Sequence, residues 1–313
     1  MTLARALELA ATAPGRAYPK PTVGAVVMRD GEVVGEGVTE PGGRHGEIVA
    51  LDAAGDRARG ATLYVTMEPC AHWGTTPPCT ERIVAEGVAR VVAGSRDPNP
   101  EAAGGLERLE AAGVDVELVD SFEARAQNEA WRTWVSLGRP FVTYKVATTL
   151  DGRVVVPGRR WVTGETARRL VHEVRAAADA VAVGMGTVRA DNPQLDARDV
   201  PTPRGQPRRL AFGHGPLPAG SQLELRTGSL ADELRGLAGE GVQSLLLEGG
   251  PTLAAAFLEA DLVDKLLLFV APVLSGVGPA AFPMRLASPR SLRHLSARAV
   301  GDDVLLAAHV HEL

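Results

Sequence analysis

The chain has 313 residues, a net charge of −5, 45% hydrophobic and 23% charged residues, and two cysteines. This length suits about two domains. No apolar run nears the ~20 residues of a bilayer span, and two cysteines make no secreted disulfide framework. Residues 1–138 carry 13 Lys and Arg against 20 Asp and Glu, and the remainder 20 against 18. An acidic first half argues against nucleic-acid binding, which needs a basic footprint. Glu8 interrupts any apolar signal-peptide core, so a cytoplasmic protein with no membrane partner is expected.

An amphipathic N-terminal helix is followed by a strand, Thr22–Met28, an Asp30-Gly31 hairpin signal and a second strand, Val33–Val38. A helix over about Glu47–Arg57 precedes a strand at Leu63–Thr66. Helix Cys79–Glu86, strand Val88–Ala93, helix Leu106–Ala112 and strand Val114–Val119 follow. The alternation predicts an α/β sandwich. One helix over Ser121–Leu137 carries Trp131 and Trp134, read as core or interface residues, and Gly138-Arg139-Pro140 ends it. The domains are expected to be 1–138 and 139–313.

His45-Gly46-Glu47 and the stretch Glu68-Pro69-Cys70 to Pro77-Pro78-Cys79 offer an imidazole and two thiolates to a metal. A catalytic zinc takes three protein ligands and keeps a position for water. The zinc-deaminase signature adds a Glu that moves protons without ligating. His45, Cys70 and Cys79 are therefore candidate Zn2+ ligands and Glu47 the candidate catalytic acid–base. Buried cysteines beside a histidine can also be plain core residues, and a structural zinc would have no use for Glu47. Both cysteines follow prolines at expected helix starts, where the thiolate is favoured. His72 is expected to line the pocket, since a fourth protein ligand would close the water position.

In the second half, strand Phe141–Ala147 leads to Thr148-Thr149-Leu150-Asp151-Gly152, and a helix is expected over Glu165–Ala178. Strand Ala180–Val183 opens onto Gly184-Met185-Gly186-Thr187, with Asp191–Arg198 as loop. Strand Ser244–Glu248 opens onto Gly249-Gly250-Pro251-Thr252 and a helix to Glu259. Strands Leu266–Val270 and Val304–His309 complete the reading. Amides at such turns bind phosphate. Neither turn matches a Rossmann or Walker pattern, and a plain tight turn is the alternative for Gly249-Gly250. Arginines crowd between Arg153 and Arg209, which suits a phosphorylated small molecule.

The set His45-Gly46-Glu47, Glu68-Pro69-Cys70, His72, Thr76-Pro77-Pro78-Cys79 and Asp97-Pro98-Asn99-Pro100 resembles the deaminase domain of bifunctional riboflavin-biosynthesis proteins. The eight-residue gap between the cysteines separates it from nucleoside deaminases, which generally leave two. The second half resembles the reductase domain of the same family. The resemblance implies a cytidine-deaminase-like α/β/α sandwich followed by a dihydrofolate-reductase-like α/β domain, using Zn2+ and NADPH, as a homodimer. It implies deamination of 2,5-diamino-6-(5-phosphoribosylamino)pyrimidin-4(3H)-one, then reduction of its ribosyl group. Zinc would bring water within reach of ionisation near neutral pH, and Glu47 would carry its proton to the ring nitrogen and the leaving ammonia.

By the same resemblance Thr148, Trp161, Thr163, Thr187, Asp191, Gly250, Pro251 and Thr252 line the cofactor. Lys145, Arg175, Leu195, Arg198 and Glu248 hold the reductase substrate, and His72, Asp97 and Asn99 the deaminase substrate; Lys20, standing where the family has asparagine, would supply the positive charge missing at Thr75. Lys145 reads alternatively as a satisfied strand lysine. The family's triplet is usually His-Ala-Glu, where Gly46 stands here. Its Pro-Asn-Pro is Pro19-Lys20-Pro21, its basic residue before Thr-Pro-Pro-Cys is Thr75, and a substrate-contacting serine is Arg159. Two alternatives follow: a paralogue with an impaired deaminase half acting mainly as a reductase, and a nucleic-acid-editing deaminase, which the acidic first half and attached reductase disfavour.

Overall fold

The asparagine–glycine class of turn that a right-handed β-hairpin needs requires positive φ at both central residues. Asp30 and Gly31 supply it, at φ 50° and 83°, between β1 (Gly24–Arg29) and β2 (Glu32–Val38). The computed structural model in which this is seen describes residues 2–13, 17–74, 77–248 and 250–313. Two compact units are present, Met1–Leu137 and Gly138–Glu312.

In the first unit α1 (Thr2–Ala11) buries Ala6 and Ala10 and lies on β1. Next come α2 (Gly46–Ala54), β3 (Thr62–Val65), α3 (Cys79–Ala85), β4 (Arg90–Ala93), α4 (Gly105–Ala111) and β5 (Asp115–Leu118). The sheet order is β2-β1-β3-β4-β5. β1 is antiparallel to both neighbours, while β3, β4 and β5 run parallel. Leu51, Leu63, Ile83, Val91 and Leu109 form the centre of its core. Each comes from a different helix or strand, so burying them fixes the helices on the sheet.

The single helix expected over Ser121–Leu137 is two, α5 (Phe122–Ala126) and α6 (Glu129–Leu137). The break has a physical cause. Asn128 is buried, accepts the Thr22 amide through Oδ1 at 2.9 Å and donates Nδ2 to the Thr22 carbonyl at 2.9 Å. A side chain committed to pairing with another backbone segment competes with continuation of the helix.

The second unit contains β6 (Phe141–Thr149), α7 (Glu165–Ala177), β7 (Ala180–Gly184), α8 (Met185–Asp191), β8 (Arg208–Phe212) and β9 (Glu224–Arg226). It continues with α9 (Leu230–Gly239), β10 (Ser244–Leu247), α10 (Pro251–Glu259), β11 (Lys265–Ala271), β12 (Arg293–Val300) and β13 (Asp303–His309). The eight-stranded sheet has the order β12-β13-β11-β6-β10-β7-β8-β9. All neighbouring pairs from β11 to β9 are parallel, and β13 pairs antiparallel with β11 and β12. Asp179 accepts the Gln243 and Ser244 amides at 3.0 and 2.8 Å, anchoring the start of β10. Asp191 ends α8 and does not open a loop, because Asn192 takes the left-handed cap at φ 39°. β8, β9, α9 and β12 are additions to the elements expected from sequence. No helix among the described residues is long and apolar enough to cross a membrane.

Candidate active site

Helix α2 begins directly after His45, whose backbone is extended and whose side chain caps nothing. The imidazole is therefore free to face away from its own helix. Gly46 opens the helix against β1, and a Cβ there would lie 2.3 Å from the Val23 carbonyl oxygen. The glycine in the triplet is thus what this close approach requires.

Cys79 is the first residue of α3, as expected. Cys70 is not at a helix start. It lies in the preceding loop, and its Sγ accepts the Cys79 amide at 3.3 Å. The α3 N-terminus therefore favours the Cys70 thiolate through space. His45 Nδ1 stands 3.1 Å from Cys79 Sγ and 3.6 Å from Cys70 Sγ. All three donor atoms lie within 4.8 Å of one another. Hydrogen bonding from Cys79, then from His45, holds the Cys70 thiol down at about 4 despite burial. The same sharing with Cys70, with burial, pushes Cys79 up. His45 is pushed up chiefly by its bond to Cys70. One imidazole and two sulfurs converging from the starts of α2 and α3 and the loop between them fit a zinc ion with a fourth position left over.

Glu47 is buried, and burial raises its carboxyl above the ordinary range although His45 opposes the shift. Its Oε2 has no hydrogen-bond partner among the described residues. A buried carboxylate oxygen with no partner is costly, unless a bound molecule completes it.

The ligands open into a cavity of about 300 Å³. Lys20, His72, Asp97 and Asn99 all line it with His45, Glu47 and Cys70. Lys20 is exposed at the cavity's edge, its Nζ 2.9 Å from where a Cβ on Gly43 would stand. Burial lifts the Asp97 carboxyl to about 6, and its Oδ1 accepts the Asn99 amide at 2.8 Å. Thr75 lies outside the described residues. Three further residues line the cavity. Glu68, fully buried, accepts the amides of Asp97, Gly104 and Leu106 at 3.1, 3.2 and 3.1 Å. Trp131 and Trp134 were read as core or interface residues. Trp131 does pack on the core, yet both line the cavity. Their three-residue spacing on α6 puts them on one face of the helix without saying what that face meets.

In the second unit the strand ends gather charge. Arg175 grips Glu248 through Nε and Nη2, and Nη1 donates to the Asp196 carbonyl at 3.0 Å. Lys145 Nζ lies 3.7 Å from Glu248 Oε2. Burial lowers the Lys145 ammonium below its ordinary range, with Glu248 opposing. For Glu248 burial acts upward, but Lys145 and Arg175 together outweigh it and hold the carboxyl low. Leu195 is buried with φ 55°. Arg198 is exposed, its amide donating to His172 Nδ1 at 3.2 Å and its Nε 3.5 Å from Asp196 Oδ1.

Gly250 donates to Thr187 Oγ1 at 3.0 Å, and a Cβ on Gly250 would stand 3.0 Å from that oxygen. Pro251 and Thr252 open α10, which has no side-chain cap. Helix-start amides beside a glycine whose Cβ would crowd the Thr187 hydroxyl fit the phosphates of a dinucleotide. Thr148 is buried on β6. Trp161 is 53% exposed, with the Arg160 and Arg168 guanidinium groups 5.0 and 5.5 Å from its ring. The Thr163 carbonyl accepts from Arg168 at 2.9 Å. Asp191 stands one helical turn along α8 from Thr187, whereas Trp161 and Thr163 precede α7.

A mixed sheet presenting one histidine, two cysteines and a buried glutamate in a cavity defines a zinc-dependent deaminase, here joined to a second α/β unit. Residues 1–95 match the cytidine and deoxycytidylate deaminase zinc-binding region, and residues 140–306 match the RibD C-terminal domain. The chain is 43% identical to riboflavin biosynthesis protein RibD of Mycobacterium tuberculosis, covering 88% of this chain and 85% of that one. It is 36% identical to the Escherichia coli protein of the same name, over 97% of each. Among solved structures, Acinetobacter baumannii RibD matches with a TM-score of 0.86 and 33% identity, over 99% of this chain and 98% of that one. A Thermotoga maritima diaminohydroxyphosphoribosylaminopyrimidine deaminase/5-amino-6-(5-phosphoribosylamino)uracil reductase matches at 0.82 and 32%, with the same coverage. The chain belongs to the RibD family. It is a bifunctional enzyme of riboflavin biosynthesis, a zinc-dependent deaminase and an NADPH-dependent reductase in one polypeptide.

Proposed function

We propose that the first domain, residues 1–138, deaminates 2,5-diamino-6-(5-phosphoribosylamino)pyrimidin-4(3H)-one. The second, residues 139–313, then reduces the product to 5-amino-6-(5-phosphoribitylamino)uracil. The observation that carries the first step is the unpartnered, buried Glu47 Oε2 beside three converging zinc donors. His45, Cys70 and Cys79 hold the metal, which supplies a water activated near neutral pH. Glu47 would take one water proton at Oε2 and deliver it to the ring nitrogen, then carry the remaining hydroxyl proton to the amino group, which leaves as ammonia. Its raised pKa suits a group that must both accept and release a proton. Asp97, Asn99 and His72 hydrogen-bond the ring edge, and Lys20 meets the phosphoribosyl arm at the edge of the cavity.

In the second domain NADPH supplies the hydride. Thr187, Gly250, Pro251 and Thr252 hold its phosphates, and Thr148, Trp161, Thr163 and Asp191 line the rest of the cofactor. Arg175 is already committed to Glu248. The exposed Arg198 is then the better phosphate ligand, while Glu248 accepts from ribosyl hydroxyls beside Lys145 and Leu195 packs behind them. The enzyme acts on small molecules in the cytoplasm as a homodimer. Purified protein given the diaminopyrimidine nucleotide should release ammonia without NADPH and oxidise NADPH only after that step. NADPH oxidation from supplied aminouracil nucleotide without any ammonia release would reject the deaminase half of the reading.

A further inference from the structure

The cavity beside the zinc donors is lined by the polar His45, Glu47 and Cys70 and by the apolar Pro21, Val23 and Met67. Trp131 and Trp134 also line this cavity. They stand three residues apart on α6 and so project from one face of it. Both are only partly buried, and α6 buries no residue completely. A helix that supplies two indoles to an active-site cavity, and nothing wholly to the core, serves the cavity.

We propose that Trp131 and Trp134 form an aromatic wall on which the pyrimidine ring of the substrate stacks. The stacked ring presents its amino-bearing edge to Glu47 and the metal ligands. The inference rests on the deaminase reading above and adds to it the residues that set ring orientation. Stacking fits a flat heteroaromatic ring, since every such ring has a π face whatever hydrogen-bonding groups decorate its edge. It also divides the work. The indoles fix the plane of the ring, while Asp97 and Asn99 read its edge within that plane.

The test uses the zinc-loaded full-length enzyme. Trp134→Leu should raise the deaminase KM by roughly 5- to 150-fold, the range expected for one lost base–aromatic stack. Its zinc content and its reductase turnover, measured on the same sample, report folding. Trp134→Phe, which keeps a π face, should recover most of the loss. Trp131 also packs on the core, so it is changed only to Phe. In the Glu47→Gln background, where substrate is not consumed, ligand quenching of tryptophan fluorescence should shrink in both Trp131→Phe and Trp134→Phe. Unaltered quenching in both, or an unaltered KM in zinc-replete Trp134→Leu, would overturn the wall. If Trp134→Leu fails to fold, the quenching titration of the two Phe variants decides alone. Wild-type protein that releases no ammonia would count against the deaminase reading, whereas active protein with unaltered quenching would count against the wall only.

Discussion

Glu68 and Asp97 are joined by a hydrogen bond from the Asp97 amide to Glu68 Oε2 at 3.1 Å. The carboxylate that accepts it lies two residues before Cys70 and is wholly shielded from solvent. Its other oxygen takes the Gly104 and Leu106 amides at the start of α4. One side chain therefore ties the metal-ligand loop to the loop that brings Asp97 and Asn99 into the cavity. In Glu68→Gln one oxygen can still serve α4, but an NH2 would face the Asp97 amide. The loss should be about 1–3 kcal/mol, read as a lower urea midpoint. An unchanged midpoint would show that the loops are held in place by other contacts.

Glu47→Gln should keep stoichiometric zinc and lose ammonia release by about 10²- to 10⁴-fold, the range for general acid–base catalysis. NADPH oxidation from supplied aminouracil nucleotide should continue. A variant that still deaminates at the wild-type rate would remove Glu47 from proton transfer.

Lys20→Asn tests the cation at the cavity's edge. The side chain is exposed, so loss of a charge-assisted contact should raise the deaminase KM by about tenfold. The effect should fade at high salt. Faster deamination in the variant would instead mark Lys20 as a defect in this site.

Arg198→Ala should raise the reductase KM by about 10- to 100-fold with little change in kcat, because the lost grip on phosphate acts on ground state and transition state alike. Steady-state kinetics with the aminouracil nucleotide check this, and unchanged values would reject the phosphate role.

Glu240 supports pH-dependent stability in the second unit. Bonds first from Arg226 and then from Arg208 hold its carboxyl down at about 2. A depressed acid contributes stability above its unfolded pKa of about 4.5 and loses it as pH falls through the folded value. The side chain is 43% exposed, so solvent screening limits the contribution to about 0.5–1 kcal/mol. Glu240→Gln should therefore be slightly less stable than wild type at pH 7, with the gap narrowing as pH falls from about 4.5 toward 2. A gap of constant size over that range would assign the effect to packing.

Much of the first unit is legible in the sequence because its elements are short and each carries a local signal. Asp30-Gly31 announces a hairpin, and His45, Cys70 and Cys79 carry a spacing that few other folds produce. The break at Asn128 is not legible, since it depends on Thr22, 106 positions away. The Trp131–Trp134 wall is hidden for a related reason. Two large aromatics at helical spacing look alike whether they face a core or a cavity, and only the tertiary arrangement separates the two. In the second unit β12 escapes notice because seven of its eight residues are exposed, which leaves no inside–outside alternation to read. Arg175 illustrates a further limit. Its charge and position suggest a phosphate ligand, but its bidentate pairing with Glu248 is visible only once β10 is placed beside β7.

Asn128 reads Thr22 only through its backbone, one donor and one acceptor on each side. The two positions therefore tolerate change unequally. Position 22 can exchange its side chain without touching the pairing. Position 128 needs a short planar amide, and an aspartate there would set an oxygen against the Thr22 carbonyl. Random mutagenesis of the pair should return many residues at 22 and almost none but asparagine at 128, although neither lines the cavity.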